Sequence, residues 1–129
     1  MKDVALVVDT QASNWKLFID GSSNRHGSRA GIVIQAPNGT VTQLALRFEL
    51  RATNNIAEYE ALIQGLRVTL ELRIESLLVY NDSQLIVNQV NNDYRAKDEM
   101  MMKYFSAVTT LREKFLRCPF VRISRERNS

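Results

Sequence analysis

The hydrophobic positions change their period along the chain, and each change predicts an element. Trp15, Leu17, Phe18 and Ile19 form a nearly continuous apolar run ending at Asp20, the pattern of a strand buried on both faces. Gly21-Ser22-Ser23-Asn24 are turn-forming types and predict that this strand stops at Asp20. Residues 29–35 and 40–49 read as two further strands, joined at Ala36-Pro37-Asn38-Gly39, where the Asn-Gly pair is the best hairpin cue in the chain. Together these three strands predict an antiparallel meander.

From Asn55 the spacing becomes helical, with Ala57, Ala61, Gly65, Val68 and Leu72 recurring every three or four residues. Asn55 suits an N-cap, which makes Glu58 the third helical residue of a capping box. Ala57, Ala61 and Gly65 would let the helix backbone approach a sheet closely, while Arg67, Glu71 and Arg73 suit the wet side. Residues 76–81 are strongly apolar again, and a helix between two strands makes a parallel crossover the natural connection. The first and fourth strands are therefore expected to be neighbours. Asp82-Ser83 can cap a short helix running to about Val90, and Asp98 can open a longer one to about Leu116. Met102, Phe105, Val108, Leu111 and Phe115 form the expected apolar face of that longer helix, and residues 120–124 a fifth strand. The fold expected is α/β: a mixed five-stranded sheet in the order βββαβααβ, with helices packed on it.

Composition narrows this picture only a little. A chain of 129 residues, 45% hydrophobic and 24% charged, with five Gly and two Pro, fits one domain with one core. The polar stretch 9–14 marks residues 1–14 as a linker or the remnant of a preceding domain, leaving 15–129 as the domain proper. The apolar run 4–8 is too short for a secretion signal, and no segment reaches membrane-spanning length. A single cysteine, Cys118, excludes an internal disulfide and a CxxC metal site; it is expected half-buried before the last strand. A soluble intracellular monomer, cytoplasmic or nuclear, is the expectation. The net charge of +3 permits a polyanionic partner without demanding one.

Three acids stand where folding alone gains little from acids. Asp20 follows one apolar strand, Asp82 another, and Glu58 opens a helix expected to lie on the sheet. Singly, Asp20-Gly21 also fits a turn, Glu58 a capping acid and Asp82-Ser83 an N-cap; their joint occurrence is harder to explain that way. Parallel neighbouring strands would bring Asp20 and Asp82 side by side, within reach of Glu58. Carboxylates so close repel unless a cation intervenes, and oxygen-only ligands select hard cations such as Mg²⁺ or Mn²⁺. Two such ions, about 4 Å apart, can hold both the attacking water and the leaving oxygen of a phosphodiester.

The segments Phe18-Ile19-Asp20-Gly21-Ser22-Ser23-Asn24, Ala30-Gly31-Ile32-Val33, Thr53-Asn54-Asn55-Ile56-Ala57-Glu58-Tyr59-Glu60-Ala61-Leu62 and Asn81-Asp82-Ser83-Gln84-Leu85-Ile86-Val87 resemble, in order and spacing, the motifs of type 1 ribonuclease H. The resemblance runs from Trp15 to the C-terminus. It is strongest to the reverse-transcriptase-associated domains of Ty3/gypsy-type retroelements and their plant relatives, through Tyr59, Glu60 and the Gly65-Leu66 pair. It implies cleavage of the RNA strand of an RNA–DNA hybrid with two Mg²⁺ ions, leaving a 3′-hydroxyl and a 5′-phosphate, and a reverse transcriptase domain in the parent polyprotein. By the same resemblance Asp20 and Asp82 ligate the metals, and Glu58 ligates the one near the leaving group and contacts the ribose. Asn54, Asn55, Ser83 and Gln84 fall at substrate-contacting positions, and the backbone at Gly21 and Ser22 at the scissile region. A minor-groove reader of this kind distinguishes RNA by its 2′-hydroxyl.

The chain also departs from the family pattern. After Ser124-Arg125-Glu126-Arg127-Asn128-Ser129 the sequence ends about three residues before the family's fourth carboxylate, so its last helix is missing; Glu126 belongs to the loop and does not replace that acid. His26, the one histidine, falls in the first hairpin loop. Only residues 91–97 separate the two later helices, leaving no room for the basic protrusion of many cellular ribonucleases H. A catalytically impaired nucleic-acid-binding or interaction module is therefore the alternative expectation.

Overall fold

The computed structural model describes residues 14–24, 27–48, 54–81, 86, 87, 90 and 99–122. Five strands, β1 (Trp15–Asn24), β2 (Gly27–Gln35), β3 (Val41–Phe48), β4 (Leu77–Asn81) and β5 (Phe120–Arg122), form one sheet in the order β3-β2-β1-β4-β5. Two helices are described in full, α1 (Asn54–Glu71) and α2 (Glu99–Arg112). Ile86, Val87 and Val90 are also helical, where the short capped helix was expected. β1–β2 and β2–β3 are antiparallel, whereas β1–β4 and β4–β5 are parallel. The mixed five-stranded architecture expected from the sequence is thus the one observed.

The β2–β3 turn forms where Asn-Gly predicted it. The Gly39 amide donates to the Ala36 carbonyl at 2.9 Å, and the Ala36 amide to the Thr40 carbonyl at 2.8 Å. Gly39 has φ 93°, a conformation that glycine adopts without a Cβ penalty, and the Thr40 amide donates to Asn38 Oδ1 at 2.9 Å. The end of α1 is capped differently. The Ile74 amide donates to the Thr69 carbonyl and the Arg73 amide to the Leu70 carbonyl, the two bonds of a Schellman motif, with Arg73 at φ 62° where glycine is usual.

Since β3 and β4 both run parallel to β1, the connecting helix α1 crosses back antiparallel to all three and lies over β1 and β2. Gly65 sets how closely it lies. A Cβ placed there would stand 2.7 Å from Ile19 Cδ1 and 3.1 Å from Leu17 Cδ2, so the close approach expected of the small-residue stripe is real. Leu17, Ile32, Ile34, Tyr59, Leu62, Leu66, Leu77, Val79 and Val108 are fully or nearly fully buried around this seam. Thr69, also fully buried, satisfies its hydroxyl by donating within the helix to the Gly65 and Leu66 carbonyls.

Five expectations need correction. β1 does not stop at Asp20: Gly21, Ser22, Ser23 and Asn24 pair with Ala30, Arg29, Ser28 and Gly27, so a long hairpin arm overrides their turn preference. Asn55 is not an N-cap, because α1 already begins at Asn54 and carries no acid in its first turn. On α2 the expected apolar face holds at Val108, at Phe105 and Leu111, which pack against the core, and at buried Phe115 just past the helix, but Met101 takes the inward place expected of Met102, which is 54% exposed. Steps of three from Val108 drift off a 3.6-residue stripe, leaving Met102 about 120° round the helix from Val108. Leu72 and Leu116 lie beyond α1 and α2 respectively and are exposed. Cys118 is buried rather than half-buried, and burial pushes its thiol up to about 12 against the opposing pull of Arg112. Arg112 closes this end of the core, donating to the Cys118 and Val90 carbonyls and lying over the Phe120 ring at 5.0 Å.

Candidate functional site

The parallel pairing of β1 with β4 ends at Ile19 opposite Asn81. Asp20 is the next residue of β1. It is not at a strand end, but it is the first position at which β1 has lost its β4 neighbour in the described residues. Alternation puts Asp20 on the face opposite Ile19, away from α1, and it is exposed. There it shares an open groove of about 460 Å³ with Arg29, Gly31, Ala45 and Arg47.

Glu58 arrives from the helix side. It lies seven residues before Gly65, hence on the same sheet-facing stripe and about 10.5 Å nearer the helix N-terminus. Because α1 runs antiparallel to β1, that displacement is toward the C-terminal half of β1, the end carrying Asp20. Glu58 is only 8% exposed and its Oε2 is shut off from solvent. Burying a carboxylate is costly unless charge or hydrogen bonds compensate.

Asn81 also belongs to this end of the sheet. Last in β4 and 1% exposed, it is a buried amide closing an otherwise apolar strand; the polar end of the run Leu77–Asn81 was the available signal. Of the remaining candidates, Gly21 and Ser22 lie in β1 opposite Ala30 and Arg29, and Asn54 and Asn55 open α1. Asp82, Ser83 and Gln84 lie outside the described residues, as do His26 and Glu126. Among the described residues no three metal-ligand side chains gather, and Asp82, one of the three expected carboxylates, lies outside them. The two that are described offer only oxygen donors, a set that suits Mg²⁺ or Mn²⁺ rather than a softer metal.

The family model described as reverse transcriptase-like matches residues 18–129. The chain belongs to this family. A curated relative, the bifunctional protein Rv2228c of Mycobacterium tuberculosis, is 32% identical over 113 residues. That match takes in 85% of the chain but only 31% of the relative, so the chain spans about a third of the length of the curated relatives it matches. The solved N-terminal RNase H domain of rv2228c is 30% identical, with a TM-score of 0.76 and 88% of this chain and 90% of that one covered. LC11-RNase H1, solved in complex with an RNA/DNA hybrid, is 26% identical with a TM-score of 0.77, covering 90% and 89% of the two chains. RNase H1 from Halobacterium salinarum has a TM-score of 0.82 at 24% identity, covers 89% of each chain, and shows the shared fold. Within the reverse transcriptase-like family the chain is a ribonuclease H type 1 domain. No described helix is long and apolar enough to cross a membrane.

Proposed function

We propose that this domain hydrolyses the RNA strand of RNA–DNA hybrids in a Mg²⁺-dependent reaction, and that it derives from a retroelement whose polyprotein also carries a reverse transcriptase. The observation that supports the reading is the parallel pairing of Ile19 with Asn81, where β1 leads on to Asp20 at the end where Glu58 is buried and the sequence leads on from β4 to Asp82. The family match and the likeness to a hybrid-bound RNase H1 support it.

In this reading Asp20, Glu58 and Asp82 hold the cations. When bound, Mg²⁺ supplies charge neutralisation at the phosphodiester and a water of lowered pKa. The protein's own part is positioning. In this reading the β1–β4 pairing would set the spacing of the two aspartates, and the close approach of α1 at Gly65 to Ile19 and Leu17 the distance of Glu58 from β1. Asn54 and Asn55 at the start of α1, with Ser83 and Gln84, contact the minor groove, while the backbone at Gly21 and Ser22 meets the scissile strand. Residues 15–129 act as the domain, and residues 1–14 as its lead-in.

A purified chain incubated with an end-labelled hybrid and Mg²⁺ should release short RNA fragments. EDTA or Asp20→Asn should abolish them. Cleavage that survives both would remove this site from the reaction, and hybrid binding without any cleavage would favour the impaired binding module instead.

A further inference from the structure

On the face of the sheet that carries Asp20, two arginines stand directly opposite each other. Arg29 of β2 pairs with Arg47 of β3 in the antiparallel register, so their side chains project to the same side, and both are exposed. Like charges placed directly across two strands are destabilising. The arrangement is therefore not one that folding selects for its own sake; an anion seated between the two guanidinia turns the repulsion into a paired attraction.

The surroundings point the same way. Between Asp20 and this pair the groove floor is Gly31 and Ala45, which face each other across β2 and β3. A Cβ added at Gly31 would meet nothing nearer than the Asp20 carbonyl oxygen at 3.8 Å, so the floor is low and open rather than filled. From strand spacing and rise, the Cα atoms of Arg29 and Arg47 stand roughly 8 and 12 Å from that of Asp20. That separation suits a phosphate one or two nucleotides removed from the one at the carboxylates. Arginine offers a planar fork that fits phosphate oxygens two at a time.

We infer that Arg29 and Arg47 form a backbone-phosphate site on the β2–β3 hairpin, which grips a nucleic-acid strand beside the carboxylates and sets how it lies across them. The inference rests on the hybrid reading of the preceding subsection. The ligand is a phosphodiester within a strand, and base identity plays no part, since phosphate contacts position a duplex without reading its sequence.

The test is fluorescence anisotropy of a short labelled RNA–DNA hybrid against the Asp20→Asn chain in Mg²⁺, over a series of salt concentrations. Adding Arg29→Ala and Arg47→Ala together should weaken binding roughly tenfold or more. It should also make the plot of log affinity against log salt shallower by about one to two phosphate contacts. Arg67→Ala, which removes an exposed charge from α1, should change binding far less. Arg29→Lys with Arg47→Lys should restore the salt slope while recovering only part of the affinity, because lysine keeps the charge and loses the fork. The melting temperature of the double alanine variant should hold or rise, which separates lost binding from lost folding. Unchanged hybrid affinity in the double variant, or a loss matched by Arg67→Ala, overturns the inference and leaves the hybrid reading standing. Saturable binding of inorganic phosphate that vanishes in the double variant while hybrid binding persists also overturns it, assigning the pair to a free anion. If the parent chain binds no hybrid at all, both readings fall together.

Discussion

The two faces of the β1–β2–β3 meander are made by alternate residues of the same strands and differ in almost every respect. Toward α1 stand Leu17, Ile19, Ala30, Ile32 and Ile34, all buried, under a helix held so close that a methyl at Gly65 would press on the ends of the Ile19 and Leu17 side chains. Away from it stand Asp20, Arg29, Gly31, Ala45 and Arg47, all exposed and mostly charged or small. One face carries the packed core; the other carries exposed charges. A period of two is what makes this possible, since moving one residue along a strand exchanges a core position for a site position.

The sharpest break in that comparison should come from Asp20→Asn. We expect the cleavage rate to fall a thousandfold or more, about 4 kcal/mol in barrier, with a melting temperature essentially unchanged. A large drop in melting temperature would show that the outer face carries the fold after all. The mirror experiment is Gly65→Val, which forces a branched side chain against Ile19 and Leu17 and should lower unfolding free energy by about 3 kcal/mol in urea titration. Full stability in that variant would mean the seam is looser than the structure shows.

Alkaline pH should act on the core side alone. Burial pushes Tyr59 up to about 12; for Tyr104, burial first and then its hydrogen bond to Glu60 do the same. The two rings stack with centroids 6.0 Å apart, joining α1 to α2. These groups release their protons more readily when unfolded, so their contribution is complete below the ordinary value of 10.0 and is lost as pH rises from there through about 12. Thermal melts in that window should fall, and Tyr59→Phe should reduce the fall. The smallest effect expected is at Arg73, where a side chain occupies a left-handed conformation. Arg73→Gly should raise stability by about 1 kcal/mol, read in the same urea titration.

Much of the fold was legible because local pattern and tertiary context agree there. The Asn38-Gly39 turn, the apolar strand β4 and the stripe through Ala57, Ala61 and Gly65 each carry a signal within a few residues. Disagreements arose where a distant partner decides. Gly21 to Asn24 look like a turn until β2 supplies hydrogen bonds to the whole arm, and Met101 displaces Met102 because the stripe on α2 follows 3.6 residues per turn rather than three. At the site, Asp20 and Glu58 stood out as acids beside apolar runs. Arg29 and Arg47 did not, because they are 18 residues apart in sequence and only the β2–β3 register sets them face to face.

The end of the β1–β4 ladder at Ile19 and Asn81 also bears on how the protein reaches its native state. β1, β2 and β3 follow one another through short connections and can zip up locally. By contrast, Trp15 finds Leu77 only after some sixty intervening residues have been ordered, a closure with a large entropic cost. Loop-closure entropy thus favours β1–β4 pairing after the hairpins exist. A nascent chain that has made its meander but not yet captured β4 already sets Arg29 opposite Arg47 while lacking the apposition of Ile19 with Asn81.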